Sequence, residues 1–269
     1  MKILSLLNNK GGVGKTTIST NLAAQRARKG STTLLIDMDP QQNASEALGV
    51  SRNVAGFDSY LNGSLHLGQV ALEQPGDPDN PRTKVPGLYV IPAGPGLQKA
   101  ADLLSDASLT AHLERFRASL AEFDAEATTQ GARLDLIVLD LRPALDRITT
   151  LGLAVSDFVA VPLECAESSL SGLLSLDAFV TEVRDRLNPG LKWGGAFVNK
   201  YRENGSQRQF VAEVRAVLRR RLLSTIVPLN QSLADGYTAR CPAVSHFPAS
   251  DGAKAIRALS KDLFLTMGL

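Results

Sequence analysis

The 269-residue sequence predicts an α/β protein: a mostly parallel twisted sheet with helices on both faces. Three observations carry that reading. Short continuous apolar runs recur along the chain, helical stretches separate most of them, and the first run passes through a cluster of glycines directly into a helix. Continuous rather than alternating apolar strands are what a sheet covered on both sides requires. No repeat and no domain boundary interrupts the pattern, so residues 1–269 read as one domain.

Taken in order, residues 2–7, "KILSLL", form the first buried strand. The helix over 15–29 carries Ile18, Leu22, Ala23, Ala24 and Ala27 along one packing face and is closed by Gly30. Residues 32–39, "TTLLIDMD", form a second strand ending in two carboxylates, the end at which open α/β sheets bind ligands. A turn at Pro40 and a short helix near 44–48 follow. Further strands are predicted at 88–92, 134–141, 157–163, 193–200 and 224–229, and further helices at 97–123, 169–187, 206–220 and 250–267. The segment 74–86, "QPGDPDNPRTKVP", is rich in proline and charge and reads as a surface loop.

Composition excludes several classes. With 29 Lys and Arg against 27 Asp and Glu, the formal charge is only +2, so any basic patch must be local. Cys165 and Cys241 are far apart and His66, His112 and His246 are scattered, which argues against a disulfide framework or a Cys-ligated cluster. The apolar N-terminal run is too short for a signal-peptide core, and no run approaches the roughly 18 residues of a membrane span. The expectation is a soluble cytoplasmic protein.

The chemistry is concentrated in "NNKGGVGKTT", residues 8–17. A phosphate-binding loop of the form G-x-x-x-x-G-K-[ST] cradles phosphates with backbone N–H groups, reaches the β and γ oxygens with its lysine and holds Mg²⁺ with its hydroxyl. Residues 9–16 fit, except that Asn9 replaces the first glycine. Gly11, Gly12 and Gly14 permit close backbone approach, Lys15 is the charge clamp and Thr16 the candidate Mg²⁺ ligand.

The run "KGGVGKTT" resembles the deviant Walker A motif of the ParA/MinD class of P-loop ATPases, whose hallmark is a lysine at the position of Lys10. The resemblance implies ATP and Mg²⁺ as ligands, with Lys10, Gly11, Gly12, Val13, Gly14, Lys15, Thr16 and Thr17 around the phosphates. It implies an ATP-sandwiched homodimer in which Lys10 reaches the partner's nucleotide, as an arginine finger would. It places Asp39 where the attacking water is oriented and nucleotide is sensed, Asp140 as the Walker B aspartate holding Mg²⁺ through water, and Asn199, Pro228 and Asn230 along the base. Thr16, Asp39 and Asp140 are thus the metal-site candidates, and Lys10, Lys15 and Asp39 the catalytic ones. For Asp37 two readings stand: assistance at the metal site, or a structural bond to the phosphate loop. For Asn199, Pro228 and Asn230 the competing reading is a turn former at a strand end.

The resemblance departs in three places. Arg142 stands at the first of two usual prolines after Walker B, and Leu151 at the usual asparagine of the switch helix. Arg142 is either an added phosphate or interface contact or a solvent-facing replacement. Ser232 replaces an arginine with which many relatives bind DNA. What this chain offers instead is the basic run from Lys200 to Arg221. There Val211, Val214, Leu218, Phe210 and Val217 form an apolar helix face, and Arg208, Arg215 and Arg219 lie roughly 120° away. That face, with Arg202, is either a solvated surface or a site for sequence-independent phosphate binding.

The resemblance therefore implies a slow, partner-stimulated ATPase, nucleoid-associated through nonspecific DNA, that segregates or positions a plasmid, chromosome or protein cargo with a ParB-like or other adaptor. A MinD-like membrane switch would need a C-terminal amphipathic membrane helix. The tail instead reads as a core helix with Ile256, Leu259 and Leu263 at helical spacing. A metabolic or cofactor-maturation enzyme on the same scaffold is the remaining alternative; a ligase of that kind does not call for Lys10, and an iron–sulfur carrier needs paired cysteines.

Overall fold

The computed structural model describes residues 1–80, 83–129, 131, 133–166 and 168–269, the side chains at 168 and 170 excepted. Eight strands, β1 (Lys2–Leu6), β2 (Thr32–Met38), β3 (Leu72–Glu73), β4 (Leu88–Ile91), β5 (Leu134–Leu141), β6 (Phe158–Glu164), β7 (Lys192–Tyr201) and β8 (Leu222–Pro228), form one sheet. Their order is β3-β4-β2-β5-β1-β6-β7-β8. Every pair is parallel except the two-residue β3, which runs antiparallel to β4. The chain departs from β1 to β2 on one side and reaches β6 on the other, so the strand order reverses at the centre, where such sheets open a crevice.

Alternation along the strands divides the interior into two cores. On one face Ile3, Leu34, Ile36, Ile137 and Leu139 meet α6 (Asp106–Thr129), α7 (Arg147–Val155) and α8 (Ser168–Arg186). On the other, Leu4, Leu6, Leu35, Leu136 and Val138 meet α1 (Lys15–Ala27) and α12 (Asp251–Met267). Period-two alternation sends neighbouring apolar side chains to opposite faces, and both are covered. Ile256, Leu259 and Leu263 of α12 are fully buried, so its apolar face packs against the sheet. Among the described residues, no helix is long and apolar enough to cross a membrane.

Several expectations are corrected. The helix expected at 97–123 is two, α5 (Leu97–Asp102) and α6. Between them, Ser105 and Ser108 each accept a hydrogen bond from the other's N–H, at 3.2 and 3.0 Å, a local capping arrangement that competes with helix continuation. The segment 74–86 is not a plain surface loop. Gln74 is buried, donating to the Leu48 carbonyl at 3.2 Å and accepting from Val85 N–H at 2.7 Å, and Thr83 and Val85 are buried with it. Residues 81 and 82 of that segment lie outside the described residues. Short helices unannounced by any long apolar period also appear: α2 (Asn43–Ala47) was expected, but α3 (Phe57–Leu61), α4 (Leu67–Val70), α10 (Gln231–Thr238) and α11 (Ala243–His246) were not.

Candidate active site

Strand ends converge on one edge of the sheet. β1 delivers the glycine loop, β2 delivers Asp39, β5 Asp140, β7 Asn199 and Lys200, and β8 Pro228. They surround a cavity of about 510 Å³, a size typical of small-molecule sites. Of the predicted residues, Gly11, Gly12, Gly14, Lys15, Thr16, Thr17, Asp39, Asn199, Pro228 and Asn230 line it. Three others stand just outside the lining. Val13 is buried in the body of the protein, Asp140 lies behind Thr16, and Lys10 is half-buried beside the loop.

The loop's shape rests on glycine and on donors from elsewhere. Gly12 and Gly14 have φ of 76° and 89°, a region that L side chains disfavour. At Gly14 space forbids a side chain as well, since a methyl there would lie 2.5 Å from Asn199 Nδ2. Lys15 Nζ donates to the Asn8 carbonyl at 3.0 Å and to that of Lys10 at 3.4 Å. Asn199 Nδ2 donates to the Val13 carbonyl at 2.7 Å, and Lys200 Nζ donates to the Gly12 carbonyl. Asn8 closes the set, accepting from Lys10 N–H at 2.9 Å and donating to the Pro162 carbonyl at 2.8 Å.

Beneath the loop lies a buried charged cluster. Burial lowers the Lys15 pKa, and the carboxylates of Asp140 and Asp39 work against that shift. Thr16 Oγ1 donates to one Asp140 oxygen at 2.7 Å and Ser19 Oγ to the other at 2.6 Å. Burial pushes the Asp140 carboxyl up to about 6, with Ser19, Thr16 and Lys15 holding it down. Asp37 is its register neighbour on β2 and is pushed up to about 7, first by burial and then by Asp140. Asp37 accepts from Asp39 N–H at 3.1 Å and from Ser45 N–H and Oγ at 2.8 and 2.7 Å. Its bonds therefore go to the turn that presents Asp39, not to the phosphate loop. Asp39 itself is nearly buried at the cavity wall and accepts from Gln41 N–H at 2.9 Å.

The far end of the cavity is more apolar, with Pro228, Leu229, Leu233 and Pro242 among its lining. Asn230 does what a strand-end asparagine is expected to do as a cap: it accepts from Ser232 N–H at 3.1 Å and starts α10. Tyr237 donates to Glu46, which also pairs with Arg52 at 2.8 Å, joining α10 to α2, both of which contribute to the lining.

The departures noted in the sequence resolve locally. Arg142 pairs with Asp146 at 3.2 Å, and Asp146 caps α7 by accepting from Thr149 N–H at 3.1 Å. Leu151 is buried on the core face of α7. On α9 (Gly205–Leu218), Phe210 and Val214 are buried as expected, but Val217 is 59% exposed and does not pack. Arg202, Arg208 and Arg215 are exposed, whereas Arg219 lies beyond the helix end with φ of 49°, outside the helical row in which it was placed. Arg221 pairs with Asp177 at 2.9 Å and sits over Trp193, so it is held against the body.

Sequence reading missed Ser19 and Lys200. A signal for Ser19 existed, since three residues after Thr16 on a helix places both hydroxyls on one face. For Lys200 there was only its adjacency to Asn199.

Against this geometry, a family model described as "AAA domain" matches residues 1–193. The chain is 35% identical over 261 residues to the chromosome-partitioning ATPase Soj of Thermus thermophilus, covering 97% of this chain and 94% of that protein. The chain belongs to the ParA/MinD family of P-loop ATPases. Among its members, the chromosome partitioning protein ParA of Myxococcus xanthus is 32% identical over 267 residues, 97% of this chain and 87% of that one. The fold extends further: cobyrinic acid a,c-diamide synthase of Mycobacterium smegmatis, solved with bound ADP and magnesium, superposes with a TM-score of 0.78 at 23% identity over 100% of this chain and 97% of that one.

Proposed function

We propose that this ParA/MinD-family member is a ParA-like ATPase that dimerises around ATP, holds DNA without sequence preference and moves a cargo, with hydrolysis stimulated by a ParB-like or other adaptor. The observation that carries the reading is the Thr16–Asp140 hydrogen bond of 2.7 Å at the foot of a glycine loop bearing Lys10 as well as Lys15. A hydroxyl and a carboxylate joined in this way are hard oxygen donors of the kind Mg²⁺ takes alongside phosphates and water. Thr16, Asp39 and, through water, Asp140 would hold the ion, which would there supply charge compensation for the phosphates.

The remaining steps belong to the chain's own residues. Lys15 exchanges its carbonyl partners for phosphate oxygens. Asp39, fixed by Gln41 N–H and by the turn that Asp37 anchors, accepts a hydrogen bond from the attacking water and so orients it. Lys10 of each protomer reaches the other's nucleotide, which ties turnover to dimerisation. Asn199, Pro228 and Asn230 border the base. The relatives' names speak of chromosome partitioning, and the exposed arginines at 202, 208, 215 and 219 supply the sequence-independent phosphate contacts that nucleoid association needs.

Lys10→Ala tests the reading. Light scattering with ATP and turnover with DNA and adaptor should show nucleotide binding retained and the ATP-dependent dimer or its hydrolysis lost. If dimer and turnover both survive, Lys10 is only a loop charge and the sandwich reading is wrong.

A further inference from the structure

We propose that Lys200 is a positioning residue of the nucleotide site, and not part of the basic surface to which its place in the sequence assigns it. The inference rests on the nucleotide-site reading above and extends it to a residue on β7.

Side-chain placement and backbone conformation agree. The Lys200 ammonium donates to the Gly12 carbonyl, 188 residues away in the chain. Its stem lies over the loop, since a methyl on Gly14 would be 3.9 Å from Lys200 Cε. Its backbone has φ of 55°, a left-handed conformation that a long L side chain rarely adopts and that turns the side chain out of the run of β7. It lines the cavity and is only half-buried, so a charge that solvent and DNA could reach is committed to a backbone carbonyl instead.

The consequence follows from peptide geometry. The Gly12 carbonyl and the Val13 N–H belong to one planar unit, so a donor that fixes the first fixes the second. Asn199 does the same for the next unit through the Val13 carbonyl, fixing Gly14 N–H. Glycines with positive φ flank these planes and could otherwise rotate. Lys200 and Asn199, consecutive on β7, therefore set the orientation of two successive N–H groups of the phosphate loop. A cation suits this task better than a neutral donor, because a charged donor makes the stronger bond to a carbonyl and adds positive potential where phosphates sit.

The test uses Lys200→Met, which keeps the stem and removes the charge, and Lys200→Arg, which keeps a cation. ATP affinity is measured with Mg²⁺ and without DNA by calorimetry, so the result does not depend on hydrolysis, dimer function or adaptor. Lys200→Met should weaken ATP binding about tenfold, and Lys200→Arg should restore it to within about threefold. In steady-state turnover the loss should fall on KM more than on kcat. Unchanged affinity in Lys200→Met overturns the proposal, as does equal weakening in both variants, which would show that a cation at this position does not restore the loop. Loss of DNA affinity at saturating ATP with ATP affinity intact returns Lys200 to the basic surface and also overturns it. Wild-type protein that binds ATP but never dimerises would refute the functional reading and leave this result standing.

Discussion

The phosphate loop and helix α9 both gather charged residues, yet they treat them in opposite ways. Around the loop, Lys15, Asp37, Asp39 and Asp140 are all less than 9% exposed, and each is held by hydrogen bonds of defined direction. On α9 the charges stand in solvent. Arg208 meets Glu203 at 3.5 Å with both side chains more than 60% exposed, a pair worth little and screened by salt. Buried charge with fixed partners can discriminate between atoms of one ligand, while exposed charge on flexible stems can only sense the sign and density of a surface. On the function proposed above, one region serves chemistry and the other adhesion.

The largest effect should come from breaking the buried side. Lys15→Ala removes the clamp and leaves Asp140 and Asp39 facing each other, so ATP turnover should fall about 100-fold or more, measured by phosphate release. Turnover at the wild-type rate would remove the loop from the site. Next comes the exposed side. Arg208, Arg215 and Arg219 changed together to Glu should abolish DNA gel shifts at moderate salt and reduce the salt dependence of residual binding by about three counterions, with ATP-dependent dimerisation spared. A gel shift that persists would place the DNA surface elsewhere.

Ser19→Ala sharpens the comparison, because Ser19 Oγ reaches Asp140 at 2.6 Å as well as its own helix's Lys15 carbonyl at 2.8 Å, and hydrogen-bonds to no other group of the site among the described residues. The Mg²⁺ concentration for half-maximal turnover should rise about tenfold with kcat little changed. A purely structural serine would leave that titration where it was. The smallest effect concerns protons. Asp37 and Asp140 titrate higher in the folded protein than in the unfolded chain, so the folded state binds more protons between about pH 4 and 7. Their contribution is fully present below the unfolded carboxylate range and is lost as pH rises through 6 to 7. Without nucleotide and Mg²⁺, Tm should therefore rise as pH is lowered from 8 to about 5.5, and Asp37→Asn should flatten that rise. Equal slopes in the two proteins would show that another group carries it.

Much of this was legible in the chain itself. The glycine loop and Thr16 form one short-range motif, Asp39 and Asp140 stand out as strand-end carboxylates whose roles the resemblance implied, and the strands carrying them are continuous apolar runs. Helix α9 was readable only in part: its buried anchors Phe210 and Val214 obey the helical period, but the helix ends at Leu218 because Arg219 takes a positive φ of 49°, which no periodicity announces. Gln74 was hidden for a similar reason. Its partners, Leu48 and Val85, are brought together only when β3 pairs with β4, so a proline-rich segment that looks solvated holds a buried amide at its root. Ser232, which the resemblance placed where a DNA-contacting arginine was expected, serves the cap of α10 with Asn230, an arrangement set by a turn.

Among the described residues, Lys15, Asn199 and Lys200 donate side-chain hydrogen bonds to backbone carbonyls of the phosphate loop. The expected consequence is kinetic: with the loop held in this way, capture asks Lys15 to trade its carbonyl partners for phosphate oxygens. Stopped-flow association should then follow one bimolecular step whose observed rate climbs linearly with nucleotide concentration, with preference among nucleotides expressed in how slowly each one departs.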